Sequence, residues 1–355
     1  MHNTSHSPRS LHVASLLGLL VLALCSSLLF HFSTVHAVGT RSASSAATLG
    51  LGTGRGVDIT AFVEPAAGEA PVLNAINNAT TSVYVELYLL TDTNVITALE
   101  NAAKRGLDVR VMLDPDPYGV GTTQPAQTLS ALSSAGAQTK DSSPSFTYTH
   151  EKGMVIDGKS AYIMTCNFTL SALGGSSSTT NREYGIIDTE ATDVATVLGI
   201  FNADWNRASY TLTDNDIVLS PVNSRSDFVA LINKAQSSLK IEAEEMQDSS
   251  VEQAIVNAEA RGVTVQVILP SNDSGNTAGI TTLKNGSVSV YEDAHYYMHA
   301  KLIIVDGTEA FVGSENISTN SLDNNRELGL LISKASVITT LASTFSTDLS
   351  QSTAA

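Results

Sequence analysis

The sequence predicts an α/β fold built from two similar halves, each a sheet flanked by helices. Three observations carry this expectation. A strand–helix–strand pattern occurs twice at an offset of 156 residues, and a polar frame around a histidine occurs twice at an offset of 149. The chain has 355 residues, 43% hydrophobic and 15% charged, enough for two ordinary cores.

The N-terminal stretch comes first. Leu11 to Phe32 is almost wholly apolar, follows a segment whose only charge is Arg9, and ends before Val35-His36-Ala37. Small or β-branched residues there suit a signal peptidase, so residues 1–37 read as a signal peptide cut after Ala37 and the protein as secreted. An uncleaved membrane anchor, with the catalytic part outside, is the alternative, because the run approaches a spanning length. Leu24 stands before Cys25 where a lipoprotein needs a small residue.

Cleavage would leave 18 basic against 35 acidic residues, moving the charge from −16 to −17. Such acidity argues against a protein that coats nucleic acid through a basic face, so no stable nucleic-acid partner is expected. Cleavage would also leave Cys166 without an intrachain disulfide partner. Of eight histidines only His150, His295 and His299 would remain.

Residues 38–56 are small, polar and Gly-rich, a linker. The Gly50-Leu51-Gly52-Thr53-Gly54 run has neither the preceding strand nor the Lys-Ser/Thr of a phosphate loop. The first half is expected over 57–210. Val83 to Leu89 reads as a strand, Asp92 to Arg105 as a helix with Val95, Ile96, Leu99 and Ala102 on one face, and Asp108 to Leu113 as a strand after Gly106. The second half, 211–350, repeats this with Leu239 to Ala243, a helix from Asp248 to Arg261, and a strand from Val263 to Leu269. Glu86, Asp92 and Arg105-Gly106 align with Glu242, Asp248 and Arg261-Gly262. Sheets flanked by helices follow for both halves.

The repetition becomes chemical further on. His150-x-Lys152-x4-Asp157 and His299-x-Lys301-x4-Asp306 share one spacing, and nine residues separate each Asp from Asn167 or Asn316. Asn181-Arg182-Glu183 is echoed by Asn325-Arg326-Glu327. His and Lys two apart on a strand point to one face. Asp157 and Asp306, each before Gly, end their strands at turns. If the halves pack symmetrically, one cleft receives two imidazoles, two ammoniums and two amides. That set suits a phosphodiester: Lys and Asn stabilise charge on the phosphoryl oxygens, one neutral imidazole attacks phosphorus, and the other, protonated, serves the leaving oxygen.

This pattern resembles the phospholipase D superfamily, whose signature is His-x-Lys-x4-Asp followed by Gly-Ser-x-Asn, over roughly residues 57–350. The second copy matches fully. The first has Met164-Thr165-Cys166-Asn167; Thr165 keeps a hydroxyl, and Met164 is expected to narrow or reshape that side of the cleft. The resemblance implies two α-β-α sandwich halves with one site between them, no metal or other cofactor, and a phosphohistidine intermediate. It implies that His150 is the nucleophile and His299 the acid, with Lys152, Lys301, Asn167 and Asn316 holding the phosphate. Glu183 and Glu327 would orient the histidines, and Asp157 and Asp306 would be structural partners of the turns.

Other polar residues read more plainly. Asp114-Pro115-Asp116-Pro117 is a turn. Glu242, Glu244 and Glu245 lack a companion His or acidic cluster at metal-ligand spacing. His295 reads as a surface loop residue, with a substrate contact as alternative, Cys166 as packing, and Trp205 as a core anchor. Loops 114–149 and 270–298, with Phe146, Tyr148, Tyr291, Tyr296 and Tyr297, are expected to wall the substrate cleft. Phospholipid head-group cleavage or transfer, with transient contact at a membrane surface, is the first reading of function. A nonspecific nuclease is the second, and a non-catalytic phosphate-binding module the third.

Overall fold

The computed structural model describes residues 59–176, 178–271 and 273–355. The expected leader, the linker and the Gly50–Gly54 run lie outside these residues.

The first half runs β1 (Ile59–Glu64), α1 (Ala70–Asn78), β2 (Ser82–Leu87), α2 (Thr93–Lys104), β3 (Asp108–Leu113), α3 (Thr123–Ser134), β4 (Gln138–Asp141), β5 (Lys152–Ile156), β6 (Ser160–Met164), β7 (Asn181–Asp188) and α4 (Ala191–Trp205). The second opens with β8 (Ile217–Ser220), α5 (Ser224–Lys234), β9 (Ser238–Ala243), the short β10 (Met246–Gln247), α6 (Ser249–Ala260), β11 (Thr264–Pro270), α7 (Thr277–Asn285) and β12 (Ser289–Asp293). It continues with β13 (Tyr297–Met298), β14 (Lys301–Val305), β15 (Glu309–Gly313), β16 (Ile317–Ser318), α8 (Thr319–Asp323), β17 (Glu327–Ile332), α9 (Ala335–Gln351) and β18 (Thr353–Ala354).

The strand orders β1-β7-β6-β5-β2-β3-β4 and β8-β17-β15-β14-β9-β11-β12 match strand for strand, so the duplication extends to topology. Each sheet is mixed: β2, β3 and β4 are parallel, whereas β5 runs antiparallel to β2. Strand alternation distributes the core. Val83, Val85 and Leu87 face a cluster shared with Val72, Ile76 and Leu99 from α1 and α2. Ile241 and Val267 face the matching cluster with Phe228 and Ile255 from α5 and α6. The opposite faces, through Val155, Ile163 and Ile186 on one sheet and Leu302, Ile304 and Val312 on the other, meet in a third cluster with α4 and α9. Burying both faces of both sheets fixes the halves against each other.

The repeated helices start as their sequence dictates. Asp92 and Asp248 are extended N-caps whose carboxylates accept from the backbone N–H groups two and three residues on. Gly106 and Gly262 follow the helix ends at φ 86° and 90°, conformations a side chain would strain.

Three expectations need correction. The segments 114–149 and 270–298 are not simple loops, because each contributes a helix and a strand, α3–β4 and α7–β12, before reaching its histidine. Trp205 is not a core anchor: it ends α4 half-buried, stacked on Phe201 and facing the Lys140 ammonium. Met164 does not shape the cleft; it is fully buried among the side chains beneath α1 and α2.

Candidate active site

Each histidine reaches the cleft on a segment docked to the other half. Thr149 bridges to Arg326, and the His150 N–H donates to the Arg326 carbonyl at 2.9 Å. In mirror fashion β13 pairs with the start of β7, and the Tyr297 N–H donates to the Thr180 carbonyl at 3.0 Å. The arginines between these contacts lock the arrangement. Arg182 forms a two-point ion pair with Asp348 of α9 at 2.6 and 2.7 Å, and Arg326 reaches Asp204 of α4 at 2.9 and 3.0 Å. Tyr296 and Phe146 cover their outer faces at 4.4 and 4.3 Å.

This docking crosses the carboxylates. Glu327, from the second half, holds His150 Nδ1 at 2.9 Å, and Glu183, from the first, holds His299 Nδ1 at 2.8 Å. Both carboxylates are fully buried and themselves held in place. Thr165 donates to Glu183 at 2.6 Å and Ser314 to Glu327 at 2.7 Å, so Thr165 does fill the role of the signature serine. With Nδ1 engaged, Nε2 is the ring nitrogen left for chemistry in each imidazole.

Both histidines and both asparagines, Asn167 and Asn316, line one cavity of about 510 Å³. Lys152 and Lys301 start their strands beneath it, each donating to the carbonyl of its own histidine at 2.6 Å. Burial pulls Lys152 down to about 8 and draws His150 below its ordinary value, while the neighbouring Glu327 opposes both shifts. Burial would raise Glu327, but the adjoining His150 and Lys152 outweigh it and hold the carboxyl low.

Asp157 and Asp306 sit outside the cavity, at φ 55° and 52° after their strands. Asp157 accepts the backbone N–H groups of Thr80, Thr81 and Ser82, and Asp306 those of Gln236, Ser237 and Ser238. They close the turn that feeds β2 or β9 into the sheet. Asp114 likewise makes a turn with Asp116 and also receives the Thr149 N–H at 2.8 Å, steadying the residue before His150.

His295 is exposed and does not line the cavity, and Cys166 is fully buried. Tyr148 lines the cavity as expected, but Tyr291 packs against the core between the sheets. Among the described residues two carboxylate groups are close enough to hold a cation, Glu86–Glu151–Asp204 and Asp193–Asp214–Asp216. Neither contains a member of the His–Lys–Asn set.

Two contributors escaped the sequence reading. Glu244 extends from the end of β9 into the cavity, accepting from Lys301 at 2.8 Å and Asn316 at 3.2 Å, with His299 Nε2 at 3.4 Å and the Tyr297 hydroxyl at 3.0 Å. Its counterpart by the offset of 156 is Tyr88, whose ring lies 5.3 Å from the Lys152 ammonium and 4.7 Å from the His150 ring. The signal available was the offset itself, which places both two residues beyond Glu86 and Glu242.

A family model described as "Cardiolipin synthase, PLD-like domain" matches residues 72–205 and 228–349. The chain belongs to the phospholipase D-like family. Its two matched segments fall one in each half, from α1 to α4 and from α5 to α9. Among curated members, the chain is 22% identical to a cardiolipin synthase of Clostridium perfringens, over 78% of its own length and 67% of the relative's. It is 26% identical to the major cardiolipin synthase of Bacillus subtilis, over 78% and 66%. The chain thus spans about two thirds of these relatives. Among solved structures it shares the fold of a phosphatidylserine synthase from Haemophilus influenzae, with TM-score 0.63, 14% identity and coverage of 84% and 87%. The same holds for a polyphosphate kinase from Porphyromonas gingivalis, with TM-score 0.66, 13% identity and coverage of 83% and 48%.

Proposed function

We propose that this phospholipase D-like protein cleaves a phospholipid phosphodiester through a phosphohistidine and passes the phosphatidyl group to an alcohol or to water. The observation that carries this reading is the crossed pair of His–Glu contacts, which presents two oriented imidazoles in one cavity beside two ammoniums and two amides. His150, disposed to be neutral by burial, attacks phosphorus through Nε2. His299 has an acceptor at each ring nitrogen, Glu183 and Glu244, an arrangement suited to the proton donor. As the P–O bond to the head group breaks, the His299 Nε2 proton passes to the leaving oxygen. His299 then takes a proton from the incoming alcohol or water, whose oxygen displaces His150 from phosphorus. Lys152, Lys301, Asn167 and Asn316 stabilise the charge on the non-bridging oxygens in both steps. The cardiolipin synthase relatives favour an alcohol as acceptor, and phospholipid as substrate brings transient contact with a membrane surface. Secretion remains part of the proposal on the strength of Leu11 to Phe32 and Val35-His36-Ala37.

The test offers the purified protein phosphatidylglycerol and phosphatidylcholine vesicles without divalent metal and identifies products by mass spectrometry. Released head group or a transphosphatidylated lipid, absent with His150→Ala, is the expected result. Nicking of plasmid DNA without lipid turnover would move the assignment to a nuclease.

A further inference from the structure

Glu244 stands where an anion would otherwise sit. Its carboxylate takes hydrogen bonds from Lys301 and Asn316, two groups available to hold a phosphate, and lies beside His299 Nε2. The fold does not demand a carboxylate there, because the matching position of the first half is Tyr88. Tyr88 turns its hydroxyl away, accepting the Tyr118 N–H at 2.6 Å, and presents only its ring to Lys152. The two lysines are therefore capped differently, one by an aromatic face and one by a negative charge.

We propose that Glu244 is a specificity-determining residue: a built-in anion that guards the Lys301–Asn316 side of the cradle and favours monoanionic phosphodiesters over dianionic phosphate monoesters. The inference rests on the phosphodiester reading of the same site. Charge supplies the argument. Lys152, Lys301 and one imidazolium face Glu183, Glu327 and Glu244, with Glu245 a further carboxyl on the cavity wall, so Glu244 removes one positive charge from what the cradle offers a phosphate. Without Glu244 the charge around the cradle rises by one unit. A ligand phosphate must displace the carboxylate from Lys301 or lie beside it, and the repulsion doubles for a dianion. Tyr297, whose hydroxyl holds the second carboxylate oxygen, steadies Glu244 on the cavity wall. Phosphate monoesters and free phosphate are thereby kept from occupying the site in place of the diester.

Isothermal titration of inorganic phosphate at pH 7.5 into the full chain and into Glu244→Gln tests this directly. The turnover of bis(p-nitrophenyl) phosphate is followed in parallel. The variant is expected to bind phosphate on the order of tenfold more tightly and to lower the diester KM by a smaller factor. Glu244→Ala gives the same comparison if the glutamine variant folds poorly. Equal or weaker phosphate binding by a folded variant overturns the role of Glu244 while leaving the phosphodiester reading intact. Turnover of the diester by neither protein overturns that reading and this inference with it.

Discussion

Glu183 of the first half holds Nδ1 of His299 in the second at 2.8 Å, although 116 residues separate them. The reciprocal contact, Glu327 to His150, spans 177 residues. Neither half carries a complete oriented imidazole of its own, which gives a physical reason for the two copies to remain in one chain.

Removing either orienting carboxylate leaves its histidine in place but free to rotate or change tautomer. Glu183→Gln and Glu327→Gln are each expected to lower kcat by about 10- to 100-fold. Steady-state kinetics on a diester substrate, beside melting curves, separates this loss from unfolding.

The crossed ion pairs make a stability prediction. Asp348 is fully buried and carries the Arg182 guanidinium, itself only 7% exposed. Asp348→Ala strands that charge and is expected to destabilise the protein by roughly 3–5 kcal/mol. The double variant Arg182→Met/Asp348→Leu should recover much of the loss in denaturant titrations. An equal loss in the double variant would assign the cost to packing.

A bell-shaped pH profile should follow from the buried cations. As the proposed nucleophile His150 must be neutral, and its lowered pKa places the acid limb of kcat/KM below the ordinary 6.5. Lys152, pulled by burial to about 8, loses its charge as pH rises through that value, so activity falls there. Stability runs the other way. Between about 8 and the ordinary 10.5 the unfolded chain keeps a proton that folded Lys152 has released, so stability rises with pH across this window. A rate that stays level to pH 10 would contradict the role given to Lys152.

Much of the site was legible because it lies in short, duplicated spacings. His150, Lys152 and Asn167 repeat as His299, Lys301 and Asn316, and strand alternation puts each His with its Lys. The crossing was not legible. It depends on Thr149 pairing with Arg326 and Tyr297 with Asn181, contacts between strands of different halves that no local pattern encodes. Glu244 was missed for a related reason. Only the antiparallel pairing of β9 with β14, which sets Ala243 opposite Lys301, brings its side chain to the lysine. Met164 shows the reverse error, since a departure from the signature suggested a changed cleft and the side chain instead points into the helix-covered core.

In the proposed mechanism His150 carries the covalent intermediate while His299 moves the proton. A diester with a p-nitrophenolate leaving group needs little acid assistance, so in His299→Ala the phosphoenzyme should form and persist. Mass spectrometry of rapidly quenched, digested protein should place the added phosphoryl group on the peptide containing His150. Label on His299 in the complementary His150→Ala variant, with none on His150 in His299→Ala, would reverse the assignment. Modification of neither histidine during turnover would contradict the covalent path.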